Sequence, residues 1–282
     1  MVDAMKWVWS KLRLVFRAAA KFDGDYGFLL SAGITFNILL CLIPLTLLML
    51  SVIGYLFTRE AVLEQIRNFI LQAAPTLDPE VMGVISDLVK DRQIIGIVGI
   101  GGLVWISTWV FGSLRAALNI IMGFEKGRSF LHGLAIDICM VVLVIILLLT
   151  SMSLTSFVAY IQGYGLPFQI GPILQWLMKY LLPLLFTYWM FFLVYKIIPD
   201  RKISFRTALF TALFTSVLWE TAKHLFGWYI LHLSRFPVLY GSLSALVVFL
   251  FWLYYSSIIL LLGGEVAHLS QKEKMSNAAN RP

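Results

Sequence analysis

Glu220, Lys223 and His224 stand together in the run Trp219-Glu220-Thr221-Ala222-Lys223-His224, within an otherwise apolar stretch. At helical spacing, residues three and four apart share a face. A carboxylate, an ammonium and an imidazole so placed can hold a charged substrate or pass a proton. Glu220 and Lys223 can equally neutralise one another, a pair that needs only shielding from lipid. A second polar set is spread over three apolar stretches: Arg115 and Asn119 late in one, Asp137 early in the next, and Glu265 near the end of the last. Their depths allow an Arg115–Glu265 ion pair with Asp137 beside it. A third set is Ser31, Thr35 and Asn37, followed by Pro44, which frees a backbone carbonyl within its helix. Thr35, Asn37, Pro44, Glu220, Lys223 and His224 are therefore candidates for a substrate or ion pathway. Arg115, Asn119, Asp137 and Glu265 are candidates for ion pairing.

Other chemistries find little support. His132, His224, His232 and His268 are dispersed, no two at metal-ligand spacing on one face, and there is no His-Glu-x-x-His or Cys-x-x-Cys run. Cys41 and Cys139 both fall inside apolar stretches, away from any disulfide framework. Neither a Walker loop nor a Gly-x-Ser-x-Gly elbow occurs. Ser31, Glu220 and His224 do not have a spacing that calls for catalysis. No catalytic residue, metal or cofactor is assigned.

Six apolar stretches must position these groups, at residues 28–57, 94–118, 134–160, 173–198, 204–232 and 238–267. Each exceeds the ~20 residues an α-helix needs to cross the hydrocarbon core. With 60% hydrophobic and 13% charged residues over 282 positions, the expected class is all-α: a polytopic transmembrane bundle with six spans. Gly96, Gly99, Gly101 and Gly102 lie inside the second stretch, where glycine serves helix packing rather than a nucleotide loop. Ala32 and Gly33 are expected to allow close helix contact in the first. Leu42-Ile43-Pro44-Leu45 and Leu182-Pro183-Leu184 would correspond in two inverted halves of three spans, although ordinary kinked helices account for both prolines.

Basic residues sort by side. Fifteen lie before the first stretch, after the second, between the fourth and fifth or in the tail, counting Arg115, Lys196 and Arg206 at the adjoining stretch ends, against five in the alternate breaks. This is the positive-inside pattern, and it places both termini in the cytoplasm. The net charge of +7 then reports topology and contact with anionic lipid, not a nucleic-acid partner. No cleavable signal peptide is expected. Residues 1–27 are expected to form a cytoplasmic amphipathic interfacial segment. Its apolar face is Met5, Val8, Trp9, Leu12, Val15, Phe16 and Ala19, opposite Lys6, Ser10, Arg13 and Arg17. Packing under the bundle is the competing placement. Residues 28–268 form the six-helix domain, residues 58–93 a pair of short amphipathic helices capping the outer side, and 269–282 a disordered cytoplasmic tail.

Several runs carry a family resemblance: Ser31-Ala32-Gly33-Ile34-Thr35-Phe36 leading to Leu42-Ile43-Pro44-Leu45, Leu114-Arg115-Ala116-Ala117-Leu118-Asn119, Ile198-Pro199-Asp200-Arg201, Trp219-Glu220-Thr221-Ala222-Lys223, Tyr240-Gly241-Ser242-Leu243 and Leu262-Gly263-Gly264-Glu265-Val266. In these and in their order, the chain resembles the YihY/BrkB family of bacterial inner-membrane proteins (UPF0761), once labelled ribonuclease BN. Thr35 and Asn37 are more polar than the family pattern. The resemblance implies a multi-pass protein of the bacterial cytoplasmic membrane, with links to envelope integrity and export of lipid-like molecules. A ribonuclease needs metal-binding groups clustered in water, and the cytoplasmic breaks gather none. The leading expectation is a transporter-like protein that exports or flips a lipid-like amphiphile, with membrane lipids as partners. Glu220 and Glu265 are its candidates for ion coupling. A non-transporting scaffold for envelope integrity is the alternative, and it expects a closed Glu220–Lys223 pair and no cavity at mid-membrane. A homo-oligomer is compatible with either.

Overall fold

The computed structural model describes residues 2–56, 92–124, 132–143, 146, 181–200, 203–232 and 243–279. Among them there is no strand. In lipid a segment must satisfy its own backbone, which an apolar helix does. In chain order the helices are α1 (Val2–Gly24), α2 (Gly27–Leu40), α3 (Leu42–Leu56), α4 (Arg92–Ile121), α5 (His132–Leu143), α6 (Leu182–Ile197), α7 (Phe205–His232) and α8 (Ser244–Ala279). The expected outer cap at 58–93 falls almost wholly outside the described residues.

Among the described residues, three segments are long and apolar enough to cross a membrane: Gly27–Leu48, Gly96–Ile121 and Ser244–Ser276. Helix α7 has the length, at 28 residues, but Arg206, its threonines, Glu220 and Lys223 dilute its apolarity. Helices α5 and α6 are apolar but shorter.

The first stretch is not one helix. It breaks at Cys41, with Pro44 in the opening turn of α3, where the missing N–H breaks no bond that helix needs. Helix α3 then packs along α4. Three α4 glycines make this approach possible: a Cβ would lie 2.5 Å from Ser51 Oγ at Gly96, 3.0 Å from the Leu48 nitrogen at Gly99 and 3.2 Å from Pro44 Cβ at Gly102. Ala32 and Gly33, expected at a contact, are exposed, and Gly33 has open space around it. Their stripe is turned away from the bundle.

Helices α2, α4, α6, α7 and α8 enclose the main core, which includes Leu118, Ile121, Phe191, Tyr195, Ile198 and Leu261. An aromatic ladder ties α6, α7 and α8: Phe191 to Trp219 at 5.7 Å, Trp219 to Trp252 at 5.4 Å and Trp252 to Phe226 at 5.3 Å. Such edge and tilted contacts add to plain area burial. Tyr195, fully buried, bonds Thr215 Oγ1 at 3.0 Å and donates to the Leu260 carbonyl at 2.7 Å.

Helix α1 docks on α8 through Leu14, Ala18 and Val266, while Phe22 joins the main core. Of the face expected to be apolar, Trp9, Phe16 and Ala19 are exposed, beside Arg13 and Arg17, while Val15 packs against the α8 contact. A chain reversal follows, with Tyr26 in the left-handed region at φ 57°. At the other terminus, residues 269–279 are not disordered: α8 runs through them as one helix. Its 36 residues span about 54 Å, more than a bilayer core, and Lys274 donates to Thr207 Oγ1 at 2.8 Å.

Candidate functional site

One stripe of α4, with α2 and α5 beside it, walls a cavity of 790 Å³. Gly101, Val104, Trp105, Thr108, Trp109, Gly112, Ser113 and Arg115 supply the α4 wall, at the spacing of a single helix face. Asn37 comes from α2, and Leu134, Asp137 and Ile138 come from α5. From Gly101 to Arg115 the wall rises about 21 Å. Trp105 and Trp109 are 66% and 53% exposed, so the middle of the cavity is indole-lined. Thr108 and Ser113 spend their hydroxyls on α4 carbonyls, at 2.7 and 2.9 Å.

Charge is concentrated at the end nearest α1. Arg115 Nη2 meets Asp137 Oδ2 at 3.1 Å, with the aspartate side chain 5% exposed. Gly133 makes the pair possible, because a Cβ there would collide with the guanidinium. Behind it, Asn119 donates to Asp200 Oδ2 at 2.7 Å and its Oδ1 accepts from the Asp200 backbone N–H at 3.0 Å. The carboxamide thereby pins the residues after α6 to α4.

The expected Arg115–Glu265 pair does not form. Asp137 reaches Arg115 over Gly133, and Glu265 is taken by Lys21 of α1 at 3.2 Å, with its side chain fully buried. Lys21 also bonds Asp25, and its Nζ lies 3.5 Å from the Ile121 carbonyl. Burial works against the Lys21 ammonium, but Asp25 and Glu265 outweigh it and hold its pKa above the ordinary 10.5. Burial likewise disfavours the Asp25 carboxylate, yet the Lys21 hydrogen bond prevails and keeps it below 3.8. Lys21 has no sequence signal as Glu265's partner, since 244 residues separate the two.

The other candidates divide. Asn37 lines the cavity. Thr35 is buried instead between α2 and α8, donating to the Ser31 carbonyl at 2.8 Å with Ser257 Oγ 3.3 Å away. Pro44 is buried against Gly102. Glu220 and Lys223 form a closed pair at 2.6 Å on the side facing α6, where Thr187 donates to Glu220 at 3.4 Å. His224 is exposed. None of these three is among the residues lining the cavity, although a site shared by the first and fifth stretches was expected. Sequence reasoning missed Trp105, Trp109, Lys21 and Asp200. The two tryptophans carried a signal in their spacing, four residues apart on the face that ends near Arg115, and Asp200 stood in the Ile198-Pro199-Asp200-Arg201 run. Among the described residues, no group of three or more His, Cys, Asp and Glu could hold a metal ion.

The family described as "Virulence factor BrkB" matches residues 18–282. The chain is similar to UPF0761 membrane proteins of Prosthecochloris aestuarii, 27% identical over 94% of this chain and 62% of the relative, and of Rhodospirillum centenum, 28% identical over 90% and 56%. One from Haemophilus influenzae is 22% identical over 84% of this chain and 87% of its own length. The chain thus spans about six-tenths of the first relatives it matches. No solved structure matches it. Since the match takes in all of α2 to α8, with the cavity and both buried ion pairs, the chain belongs to the BrkB family of membrane proteins.

Proposed function

We propose that the protein is transporter-like and moves a lipid-like amphiphile within or out of the bacterial cytoplasmic membrane, through the cavity between α2, α4 and α5. The supporting observation is the division of that cavity into an indole-lined wall and a charged end. Acyl chains suit exposed tryptophan, and a headgroup suits a desolvated ion pair inside a bundle. Both termini lie in the cytoplasm in this reading, and the outward face of α1, with Trp9, Arg13, Phe16 and Arg17, rests on anionic lipid. Glu220 and Glu265 are each paired away from the cavity, so any ion coupling falls instead to Asp137 with Arg115.

One observation favours the scaffold reading: Glu220 and Lys223 are closed on each other. The two readings part at Asn37. In a Cys41→Ser, Cys139→Ser background, Asn37→Cys is expected to react with membrane-impermeant thiol reagents from one side of the membrane. Thr35→Cys, buried against α8, is expected to be protected from both. Protection of position 37 from both sides, in folded protein, would reject a water-accessible path and favour the scaffold.

A further inference from the structure

The charged end of the cavity carries a balance of charge that selects among amphiphiles. Arg115 and Asp137, the two charged residues that line it, cancel each other. A headgroup bearing one net negative charge would add to the carboxylate already there. One bearing a net positive charge would face the guanidinium. Either leaves an unbalanced charge in apolar surroundings, which is costly. A headgroup whose own charges cancel avoids both penalties.

Hydrogen bonding adds detail. The guanidinium has five N–H donors. Asp137 engages it through Nη2, while Nη1 is packed against Gly133 with no surface toward the cavity. Asn37, in the same cavity, makes no hydrogen bond among the described residues. The site therefore has an unused amide donor for the oxygens of a phosphate, beside a guanidinium whose charge favours one. The Asp137 carboxylate only accepts, so it suits a primary ammonium, which donates N–H, over a trimethylated one, which cannot.

Accepting that the cavity admits an amphiphile, we infer that it takes a zwitterionic one, with the phosphate at Arg115 and a primary ammonium at Asp137. The phosphoethanolamine headgroup has this chemistry.

Tryptophan quenching in nanodiscs tests this. The protein is placed in unbrominated phosphatidylcholine with a small, equal fraction of chain-brominated phosphatidylethanolamine, phosphatidylcholine or phosphatidylglycerol. Because the chain has nine tryptophans, the signal is the difference between the wild-type protein and Trp105→Phe/Trp109→Phe. Brominated phosphatidylethanolamine is expected to quench this difference several-fold more than the other two. Arg115→Gln is expected to remove the excess. Asp137→Asn, which leaves the guanidinium uncompensated, is expected to shift the preference to phosphatidylglycerol. Equal quenching by all three lipids, or a wild-type preference for phosphatidylglycerol or phosphatidylcholine, would overturn the headgroup assignment while leaving amphiphile entry standing. If no brominated lipid quenches the two indoles, the cavity admits no lipid and the transport reading fails with the inference.

Discussion

Glu265 has no exposed side-chain surface, and its cation, Lys21, comes from the other end of the chain with 36% of its side chain exposed. The pair lies between a surface bridge, worth about 0–1 kcal/mol, and a fully buried one, where loss of one partner costs about 3–5 kcal/mol. Lys21→Ala is therefore expected to destabilise the detergent-solubilised protein by about 1–3 kcal/mol, by stranding the carboxylate. Lys21→Ala/Glu265→Gln is expected to recover part of that loss. A double variant at least as unstable as the sum of the single ones would refute the coupling. The pH dependence has a defined sign. A raised Lys21 pKa means its contribution is complete below about 10.4 and lost as pH climbs through the higher folded value. A lowered Asp25 pKa means its contribution is present above about 3.9 and lost as pH falls through the lower folded value. Melting followed against pH should thus show the Asp25 contribution fading on the acid side in the wild type, and that part of the acid limb should be absent in Asp25→Asn. At this scale the sequence reveals which groups are costly in lipid, since Arg115, Asp137 and Glu265 are charges inside apolar runs. Their partners are set by helix packing, which local spacing does not encode, except for Glu220 and Lys223 on one helix.

Helix positions are far more legible than helix faces. Apolar length alone locates α4, α7 and α8, because lipid leaves a chain few alternatives to helix. Two things escape this reading. The break at Cys41 comes from Pro44 acting as a helix start rather than a mid-helix kink. The buried face of α1 runs through Leu14, Ala18 and Phe22, because α8 and the core, not lipid, decide which side is covered. Glycine is similarly double-valued, as small residues mark contact only where a neighbour arrives. Gly263 has such a neighbour: a Cβ there would collide with Tyr195 Oη and Thr215 Oγ1, the hydroxyls joining α6, α7 and α8. Gly263→Ala is expected to cost at least about 1–3 kcal/mol, since both oxygens are anchored. Gly33→Ala, in open space, is expected to be neutral or to stabilise by up to about 1 kcal/mol through helix propensity. Thermal melting of the two variants under identical conditions checks the contrast, and equal effects would mean that the α6–α7–α8 seam is not as tight as drawn.

For the molecule as a whole, the contacts gather one set of segment ends. Lys21 reaches the Ile121 carbonyl at the end of α4 and Glu265 on α8. Asn119 holds Asp200, and Lys274 reaches Ser204 at 3.4 Å. The chain before α2, the end of α4, the link between α6 and α7 and the far part of α8 therefore meet at one end of the bundle. These are the regions whose sequence is rich in Lys and Arg, which a six-span chain with both termini on the cytoplasmic side requires. Reporter fusions put that reading at risk. Alkaline phosphatase, active only when exported, is expected to be active when joined after Gly165 or Pro237 and inactive after Lys126. A fluorescent protein that matures only in the cytoplasm is expected to shine when fused after Pro282. Phosphatase activity after Lys126, or a dark C-terminal fusion in a stably inserted protein, would invert the orientation. The Arg115–Asp137 pair would then face the outer leaflet, and the direction of any amphiphile transport would reverse with it. Inactivity after Gly165 would instead remove the outer break between the third and fourth apolar stretches, and with it the six-span count.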